Sequence, residues 1–365
     1  QRDSETGVKR VVRNYLKWFL EFPPHDFCVE PVFATRGQGY CYARRFTKHF
    51  LGHSEKNEQD SPIRWQRGDI FFGLDMQHQV QLEHQDFYYL LKKEGVTVKF
   101  LVHDLLPIQL SDYFNDKNFK DLHEKWLTMI AVLDGAICVS KATSDEFERW
   151  LSEKGIMRSP NFYISYVHNG ADFDCAYLSK DLHEDAKSML ATFQKYLTIL
   201  CVSTIEPRKQ QQQILEAVER LWSTDININL VLVGYQGWNV ESLIEKIRHH
   251  PEYGNRLFWL KDISDELLEQ IYKVSTVLIA ASLNEGFGLS LIEGARHKLP
   301  LLVRDIPVFR EVAGEHAFYF DGEKAEDITV ALREWLALFK RGEHPLSSGI
   351  RWNSWQKLSL IHISE

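Results

Sequence analysis

Short apolar segments alternate with amphipathic segments along nearly the whole chain. Residues 96–103, 197–203 and 228–233 are runs rich in β-branched and other apolar side chains, which is typical of buried strands. Residues 8–22 and 210–222 instead repeat apolar side chains at helical spacing. Strands that alternate with helices assemble into parallel sheets through βαβ units. The pattern therefore predicts an α/β fold.

The alternation falls into two series that are separated near residues 180–196. A chain of 365 residues has room for two domains of about 150 residues each. We expect an N-terminal, acceptor-side Rossmann-like domain at residues 1–190 and a C-terminal, donor-binding one at residues 191–340. Both are predicted to be doubly wound and to face a cleft, with ligands beyond the carboxyl ends of the strands. Residues 341–365 form a predicted tail whose last residues continue no helical pattern, as in a truncated or non-native end.

Composition excludes several classes of function. The net charge is −8, whereas a nucleic-acid-binding surface is basic. The five cysteines include no C-x-x-C pair, so we expect reduced thiols in a cytoplasmic protein, without a disulfide framework or a zinc site. No run of roughly 18 apolar residues predicts a membrane-spanning helix. Phosphate-loop, zinc-protease and serine-hydrolase motifs are also missing, so these chemistries are not predicted.

The segment of residues 285–293 follows a predicted strand and carries two glutamates eight positions apart. Gly286 and Gly288 permit a tight turn with exposed amides before a helix that begins near residue 289. Amides and the positive dipole end at a helix start attract an anion such as a diphosphate. Glu285 can then reach a hexose and Glu293 a ribose; alternatively, they are a helix-start charge and a solvated helix residue. The preceding strand and the two glycines favour the ligand site.

A basic pair, Arg208 and Lys209, follows the predicted strand at residues 197–203. Arginine offers a planar fork of donors and lysine a compact charge, so a pair at the carboxyl end of a strand suits phosphate groups. A solvated basic turn has the same sequence pattern. The pair is therefore a second candidate for diphosphate binding.

Three further segments lie at predicted strand or helix ends. His103 ends a strand, where its ring can bond sugar hydroxyls or a phosphate oxygen, or serve only a local hydrogen bond. Gly7 precedes the first helix, where a missing side chain lets a ligand approach the backbone, although a single glycine is also typical of a plain turn. Tyr235 and Trp238 follow a later strand and either line a nucleotide pocket or support the structure.

At these residues the chain resembles the retaining glycosyltransferases of family four, which have the GT-B fold. In that family two glutamates eight positions apart enclose Gly-Phe-Gly, as Glu285 and Glu293 do here. The family's Glu-Pro-Arg-Lys segment matches residues 206–209, its strand-end histidine matches His103, and its N-terminal glycine matches Gly7. The resemblance covers nearly the whole chain and implies two Rossmann-like domains that face a cleft.

Other positions refine or depart from this resemblance. Residues 304–312, Arg-Asp-Ile-Pro-Val-Phe-Arg-Glu-Val, resemble the branch of the family that builds bacterial polysaccharides, notably O-chain mannosyltransferases. Lys298 and Gln210 stand near the donor site where the family usually has glycine. The strand expected before Thr6 and the closing helix expected after Trp355 are not evident, which predicts a fragment that lacks both ends.

The resemblance implies a retaining, metal-independent transfer of a hexose from a nucleotide sugar, with GDP-mannose favoured and no cofactor. The implied acceptor is a saccharide or a lipid-linked saccharide in bacterial polysaccharide or O-antigen synthesis. The implied catalytic residues are His103 and Glu285. The implied donor-binding residues are Gly7, Arg208, Lys209, Gly286, Phe287, Gly288, Leu289 and Glu293. A sugar-nucleotide epimerase and a non-catalytic nucleotide-sugar-binding protein are the alternative functions for the same site.

The first predicted helix bears on a peripheral contact with the inner face of the membrane. Residues 8–22 combine an apolar face with the basic side chains of Lys9, Arg10, Arg13 and Lys17. A basic amphipathic helix is typical of a membrane-surface segment. A surface helix that packs its apolar face on a protein core has the same pattern, and this second interpretation is the favoured one.

Overall fold

The computed structural model describes residues 7–52, 59–170 and 184–355. The helices are α1 (Gly7–Glu21), α2 (Arg44–Phe50), α3 (His78–Glu83), α4 (Gln85–Lys93), α5 (Leu106–Gln109), α6 (Phe119–Ala131), α7 (Lys141–Glu153), α8 (Glu184–Lys195), α9 (Gln211–Trp222), α10 (Glu241–Arg248), α11 (Asp265–Val274), α12 (Leu289–Arg296), α13 (Pro307–Ala313) and α14 (Ala325–Arg341). The strands are β1 (Val32–Thr35), β2 (Gln38–Tyr42), β3 (Ile70–Gly73), β4 (Thr97–Val102), β5 (Gly135–Cys138), β6 (Tyr163–Tyr166), β7 (Leu197–Val202), β8 (Ile228–Val233), β9 (Leu257–Leu260), β10 (Val277–Ala280), β11 (Leu301–Arg304) and β12 (Phe318–Phe320). The predicted α/β class is confirmed.

The N-terminal half contains a parallel sheet in the order β3-β4-β5-β6. β4 and β5 are buried over nearly their whole length, as expected for a parallel sheet covered on both faces. β1 and β2 form a separate antiparallel hairpin in which Phe33 lies opposite Cys41. Both strands are short, and each pairs with the adjacent segment of the chain.

The C-terminal half contains six parallel strands in the order β12-β11-β10-β7-β8-β9. From β7 the chain first adds strands on one side, and from β10 it adds strands on the other. This order is that of a Rossmann fold, and the crevice where the direction reverses is the expected ligand site. α8, which crosses the predicted boundary at residues 190 and 191, packs on α11 and β7 of this half. The boundary itself stays a prediction.

β7 and β8 are apolar except for one polar contact between them. β8 is buried at every position, and its Asn229 is 1% exposed. Asn229 Nδ2 donates to Thr198 Oγ1 of β7 over 3.0 Å, and Thr198 Oγ1 in turn donates to the carbonyl of Phe193 over 2.9 Å. Buried polar groups cost about 1–3 kcal/mol each when they lack a partner. The contact therefore satisfies Asn229 Nδ2 and Thr198 Oγ1, whereas Asn229 Oδ1 is buried without a hydrogen bond.

α1 buries its apolar face in the protein core. Val11, Tyr15 and Phe19 are its buried residues, and they belong to a core cluster that contains residues of both sheets. The ring of Tyr15 meets the ring of Trp355 edge-on, with 5.4 Å between centroids. This packing agrees with the core-packed interpretation of the helix. Among the described residues, no helix is both long and apolar enough to cross a membrane.

Other differences from the expected elements are local. α7 starts after Ser140, whose Oγ accepts a hydrogen bond from the backbone N–H of Thr143 over 3.0 Å. α2, α3, α5, α8 and α13 were not expected. The predicted tail is described up to Trp355, which is buried, and residues 356–365 and Thr6 lie outside the described residues.

Candidate active site

The reversal of the second sheet brings the basic pair against the first glutamate. Arg208 and Lys209 follow β7, and Glu285 follows β10, the neighbouring strand. Lys209 Nζ donates to Glu285 Oε1, and Arg208 Nη1 lies 3.5 Å from Glu285 Oε2. The backbone N–H of Leu283 also donates to the carbonyl of Arg208 over 3.0 Å, which ties the two loops together. Residues 76 positions apart thus form one charged cluster.

Burial and charge act in opposite directions within this cluster. Burial alone raises the pKa of Glu285, but Lys209 and Arg208 outweigh it and hold that pKa below its usual value. Burial lowers the pKa of Arg208, but the carboxylates of Glu285 and Glu206 reverse this and raise it. Arg208 Nε lies 2.9 Å from Glu206 Oε2, yet Nε and Nη1 are buried without an aligned hydrogen bond. The guanidinium therefore retains donor capacity that an anion could use.

The loop after Glu285 is held against the N-terminal half of the chain. A Cβ at Gly286 would overlap the carbonyl oxygen of His103. The carbonyl of Gly286 accepts hydrogen bonds from Ser140 Oγ over 2.7 Å and from Thr143 Oγ1 over 3.1 Å. Gly288 has a φ of 100° and is the N-cap of α12, a backbone geometry that favours glycine. Both glycines are therefore required by the geometry of the turn.

His103 lies at this contact between the two halves, at the end of β4. Its side chain is 4% exposed, and Nε2 donates to the carbonyl of Leu74 over 2.8 Å. Burial lowers the pKa of His103, which favours a neutral ring. The structure thus brings His103 to the Glu285 loop, and the hydrogen bond from its ring to Leu74 is a local one. Its catalytic role stays a prediction.

Glu293 projects from α12 into a buried position. It is 5% exposed, so the alternative of a solvated helix residue is wrong. Arg10 Nη1 of α1 lies 2.9 Å from Oε1, and Tyr272 OH donates to Oε2 over 2.8 Å. Gly7 lies nearby, since its Cβ would be 3.8 Å from Leu289 Cδ1. The start of α1 and the start of α12 therefore meet, as the Gly7 and Leu289 predictions require.

Residues 184–344 match the family model of the glycosyl transferases group 1. The chain carries a glycosyl transferases group 1 domain. This domain comprises the whole second sheet with Arg208, Lys209, Glu285 and Glu293. The predicted resemblance is confirmed at this level.

Two curated relatives and one solved structure extend the comparison. Serotype-specific mannosyltransferase WbdA from Escherichia coli is 38% identical over 361 residues, which are 98% of this chain and 42% of WbdA. O-antigen chain mannosyltransferase RfbU from Salmonella typhimurium is 27% identical over 65% of this chain and 59% of RfbU. Anabaena Alr3699/HepE, solved with UDP and glucose, superposes with a TM-score of 0.56 at 14% identity over 80% of this chain and 73% of that one. The GT-B fold is confirmed, and the chain spans less than half the length of WbdA.

Lys298 and Gln210 of the group 1 domain take the backbone geometry of the glycines that they replace. Their φ angles are 58° and 60°, in the left-handed region. Left-handed geometry costs a side-chain-bearing residue about 1–2 kcal/mol. Gln210 Nε2 donates to the carbonyl of Pro207 over 3.0 Å, which offsets part of this cost. Lys298 and Gln210 therefore keep the shape of the turns near the donor site, and the energetic cost is strain in their backbone.

A second contact joins the group 1 domain to the N-terminal half. Glu311 of α13 accepts from the backbone N–H groups of Lys141 and Ala142, each over 2.7 Å, at the start of α7. It also lies 2.6 Å from His168 Nε2. Burial raises the pKa of Glu311, but these hydrogen bonds outweigh it and lower that pKa. A carboxylate at a helix start is favoured by the helix dipole, so Glu311 anchors α7.

The tryptophan considered for the nucleotide pocket makes a contact between the halves instead. Trp238 Nε1 donates to the carbonyl of Tyr113 over 2.7 Å, and its ring stacks on Phe114 with centroids 5.7 Å apart. A cavity of about 340 Å³ near Phe287 and His168 is also separate from the charged cluster, because Glu285 does not line it. The charged cluster therefore remains the candidate donor site.

Sequence reasoning missed several contributors to the site. They lie near the ends of helices or strands, and their chemical types carry no motif of their own. They are Arg10, Asp104, Ser140, Thr143, Tyr272 and Glu311. Arg10 and Glu311 belong to segments with a recognisable pattern, but their contacts with Glu293 and with the start of α7 depend on how the two halves meet.

Proposed function

We propose that this protein transfers mannose from a nucleotide sugar, with GDP-mannose the favoured donor, to a saccharide or lipid-linked acceptor in bacterial polysaccharide or O-antigen synthesis. The names of WbdA and RfbU support mannose as the sugar. The observation that carries the proposal is the cluster of Lys209, Arg208 and Glu285 at the reversal of the second sheet. Cations that already hold a carboxylate there can hold a diphosphate.

The proposed donor complex follows from the charges of the cluster. A diphosphate would replace Glu285 as the partner of Arg208 and Lys209, and the amides at the start of α12 would add donors to it. Glu285 would then be free to accept hydrogen bonds from sugar hydroxyls. Glu293 can accept from a ribose while it keeps Arg10, because a carboxylate offers about four lone-pair sites. Donor binding would thus replace contacts between protein side chains with contacts between those side chains and the donor.

The reaction is proposed to proceed with retention and without a metal ion. The charge that develops on the leaving diphosphate would be stabilised by Arg208 and Lys209, which is electrostatic stabilisation of the transition state. Two cations on the leaving group can supply the role that a divalent ion has elsewhere. An acceptor hydroxyl would approach on the leaving-group side, between the two halves of the chain.

We infer a cytoplasmic reaction that reaches the inner face of the membrane when the acceptor is lipid-linked. Cys138 and Cys201 are buried free thiols, and burial raises the pKa of Cys201 to about 11. Unreactive thiols suit a reducing compartment. Sedimentation with anionic vesicles tests the membrane contact, which requires binding that falls as the salt concentration rises.

Transfer can be tested with purified protein and radiolabelled GDP-mannose or UDP-sugars. A mannose-terminated oligosaccharide is the acceptor, and the anomeric configuration of the product is read by NMR. A longer oligosaccharide with the donor's configuration is the expected product. An altered nucleotide sugar without any acceptor identifies an epimerase instead. Binding of GDP without turnover of any donor contradicts the transferase proposal.

The matched variants are Glu285→Gln and Glu315→Gln. Glu285→Gln removes the charge of a residue proposed to hold the sugar, and kcat is expected to fall at least about 100-fold. Glu315 is an exposed carboxylate on the same half, so its variant controls for a general change of charge. Full activity of Glu285→Gln would contradict the assignment of the site.

A further inference from the structure

The ion pair between Arg10 and Glu293 crosses from the first half of the chain to the second. Arg10 belongs to α1 and Glu293 to α12, and Arg10 Nη1 lies 2.9 Å from Glu293 Oε1. The two helices start together, since a Cβ at Gly7 would lie 3.8 Å from Leu289 Cδ1. Arg10 and Glu293 stand about one turn further along their helices. The pair is therefore set by the way the first turns of α1 and α12 meet.

A second donor holds the other oxygen of Glu293. Tyr272 OH of α11 donates to Oε2 over 2.8 Å. Burial, and then the charge of Glu293, raise the pKa of Tyr272 well above its usual value, so the hydroxyl keeps its proton and stays a donor. A carboxylate offers about four lone-pair sites, and Arg10 and Tyr272 use one on each oxygen. Within the described residues, one site on each oxygen therefore remains, which suits the two neighbouring hydroxyls of a ribose.

Arg10 supplies the charge that balances Glu293. Glu293 is 5% exposed, and a buried carboxylate is costly unless a cation and hydrogen bonds compensate it. The basic side chains of α11 and α12, those of Lys273 and Arg296, lie instead 3.7 and 3.8 Å from Glu269. The cation that pairs with Glu293 thus comes from the first half of the chain.

Solvent reaches this pair beside Arg10. The side chain of Arg10 is 25% exposed, whereas that of Glu293 is 6% exposed. Glu293 lies about one turn from Leu289, the first residue of α12, where the amides are proposed to meet the diphosphate. The ribose of a nucleoside diphosphate is bonded directly to that diphosphate, so its hydroxyls can reach Glu293.

We propose that Arg10 is a positioning residue for the donor, which holds Glu293 so that both carboxylate oxygens accept the hydroxyls of the donor's ribose. The inference rests on the proposed transferase function, which assigns the ribose to Glu293. Arg10 acts through Glu293 and stays away from the reacting atoms. The nucleotide site of the group 1 domain is therefore completed by a side chain from the first half of the chain.

The ribose hydroxyls distinguish this role from that of a phosphate-binding cation. A cation on the diphosphate strengthens binding of every nucleoside diphosphate, whatever its sugar. A residue that positions Glu293 strengthens binding only when the ribose hydroxyls are present. The preference for GDP over 2′,3′-dideoxy-GDP therefore separates the two roles.

The test compares Arg10→Met with Lys9→Met in the full chain, with Kd of both nucleotides measured by calorimetry. Lys9 is an exposed lysine on the same turn of α1, so its variant controls for the loss of a positive charge. The wild type should prefer GDP at least about 10-fold, because hydrogen bonds to a charged group discriminate to that extent. In Arg10→Met the preference should fall below about 3-fold, while Kd of 2′,3′-dideoxy-GDP changes less than about 2-fold. Lys9→Met should match the wild type.

Arg10→Met leaves a buried carboxylate without its cation, so a second variant keeps the test independent of stability. Arg10→Met/Glu293→Gln should bind GDP as weakly as Glu293→Gln alone, because effects that act through one contact are not additive. With GDP-[14C]mannose and a mannose-terminated oligosaccharide, Arg10→Met should raise KM at least about 5-fold and change kcat less than about 2-fold, as expected when a contact of the ground and transition states is lost equally. Melting curves check the fold of each variant.

Four results would overturn the inference. An equal loss of affinity for GDP and 2′,3′-dideoxy-GDP in Arg10→Met would make Arg10 a phosphate ligand or a structural residue. Weaker GDP binding by the double variant than by Glu293→Gln would show that Arg10 does not act through Glu293. An unchanged preference for GDP in Arg10→Met would remove the positioning role and leave the transferase function intact. Absence of GDP binding and of turnover by the wild-type chain with every nucleotide sugar would remove the proposed function and this inference together.

Discussion

Lys209 donates a hydrogen bond to the carboxylate of Glu285 across the reversal of the second sheet. Both side chains are about 14% exposed, so each has lost most of its hydration. Burying two charges is offset only when they pair well and find further partners. The ligand-free site therefore neutralises itself, and a diphosphate must compete with Glu285 for the same cations.

Replacement of Lys209 by Met is expected to weaken binding of GDP. A hydrogen bond to a charged group contributes about 1.5–3 kcal/mol, so Kd should rise roughly 10- to 100-fold. Calorimetry with GDP gives Kd directly. Lys246→Met is the control, because Lys246 pairs with Glu219 away from the site, and it should bind like the wild type. An unchanged Kd for Lys209→Met would place the diphosphate elsewhere.

A Cβ at Gly286 has no space. Gly286→Ala must separate the Glu285 loop from the carbonyl of His103, so we expect a lower melting temperature and a loss of transfer of at least about 10-fold. Gly39→Ala is the control, since no atom lies within 4 Å of the added carbon and its φ is not in the left-handed region. A melting curve and an activity assay on both variants decide the matter. Equal behaviour of the two would refute the tight contact.

Lys298→Gly is expected to leave stability unchanged or raise it by up to about 1.6 kcal/mol. Relief of left-handed geometry gains about 1–2 kcal/mol, while the greater freedom of glycine in the unfolded chain costs about 0.4–1 kcal/mol. Urea unfolding measures the difference. Ala337→Gly, on an exposed helical position of α14, should instead lose about 1 kcal/mol. A loss of that size for Lys298→Gly would show that the backbone there is not strained.

Acid is expected to destabilise the fold through His78 and His123. Their pKa values in the fold are about 4 and about 3, whereas an unfolded histidine titrates near about 6.5. Below that pH the unfolded chain binds protons that the fold excludes, so the free energy of unfolding decreases as the pH falls. Between pH 7 and pH 5 each ring contributes a loss of up to about 2 kcal/mol. Urea unfolding of His78→Gln across this range should show a smaller loss; an identical one would contradict the assignment.

Glu311→Ala is expected to loosen the contact between the two halves. The variant leaves the N–H groups of Lys141 and Ala142 without a carboxylate, and hydrogen bonds of this kind contribute about 1.5–3 kcal/mol. Hydrogen exchange at these two amides should accelerate, and the melting temperature should fall. Glu315→Ala, an exposed carboxylate nearby, is the comparison. Protection that persists in Glu311→Ala would show that the anchor is unnecessary.

Much of the second half could be predicted from sequence because its elements are long and periodic. β8 was predicted with the observed bounds, and the Arg208 and Glu285 loops were expected at strand ends. The reversal of the sheet order could not be derived from the periodicity, since apolar alternation does not say which strands are neighbours.

The remaining parts of the site depend on contacts between distant segments. Asp104 and Ser140 lie at ordinary strand and helix ends, and nothing in their spacing indicates a partner 146 residues away such as Gly286. The β1–β2 hairpin was missed because its strands are short and only one of their residues, Cys41, is buried. Left-handed geometry at Lys298 was likewise invisible, since lysine rarely adopts it.

Gly286 offers its carbonyl to Ser140 and Thr143 and its bare α-carbon to His103. The loop of the group 1 domain is therefore shaped as much by the first half of the chain as by the second. Exchange of one half between related proteins must preserve this fit as well as the residues of each half. New sugar specificity can thus evolve by exchange of halves only when the new first half keeps two features. It must supply two hydroxyl donors to the carbonyl of residue 286, and its main chain must leave the α-carbon of that residue free of overlap.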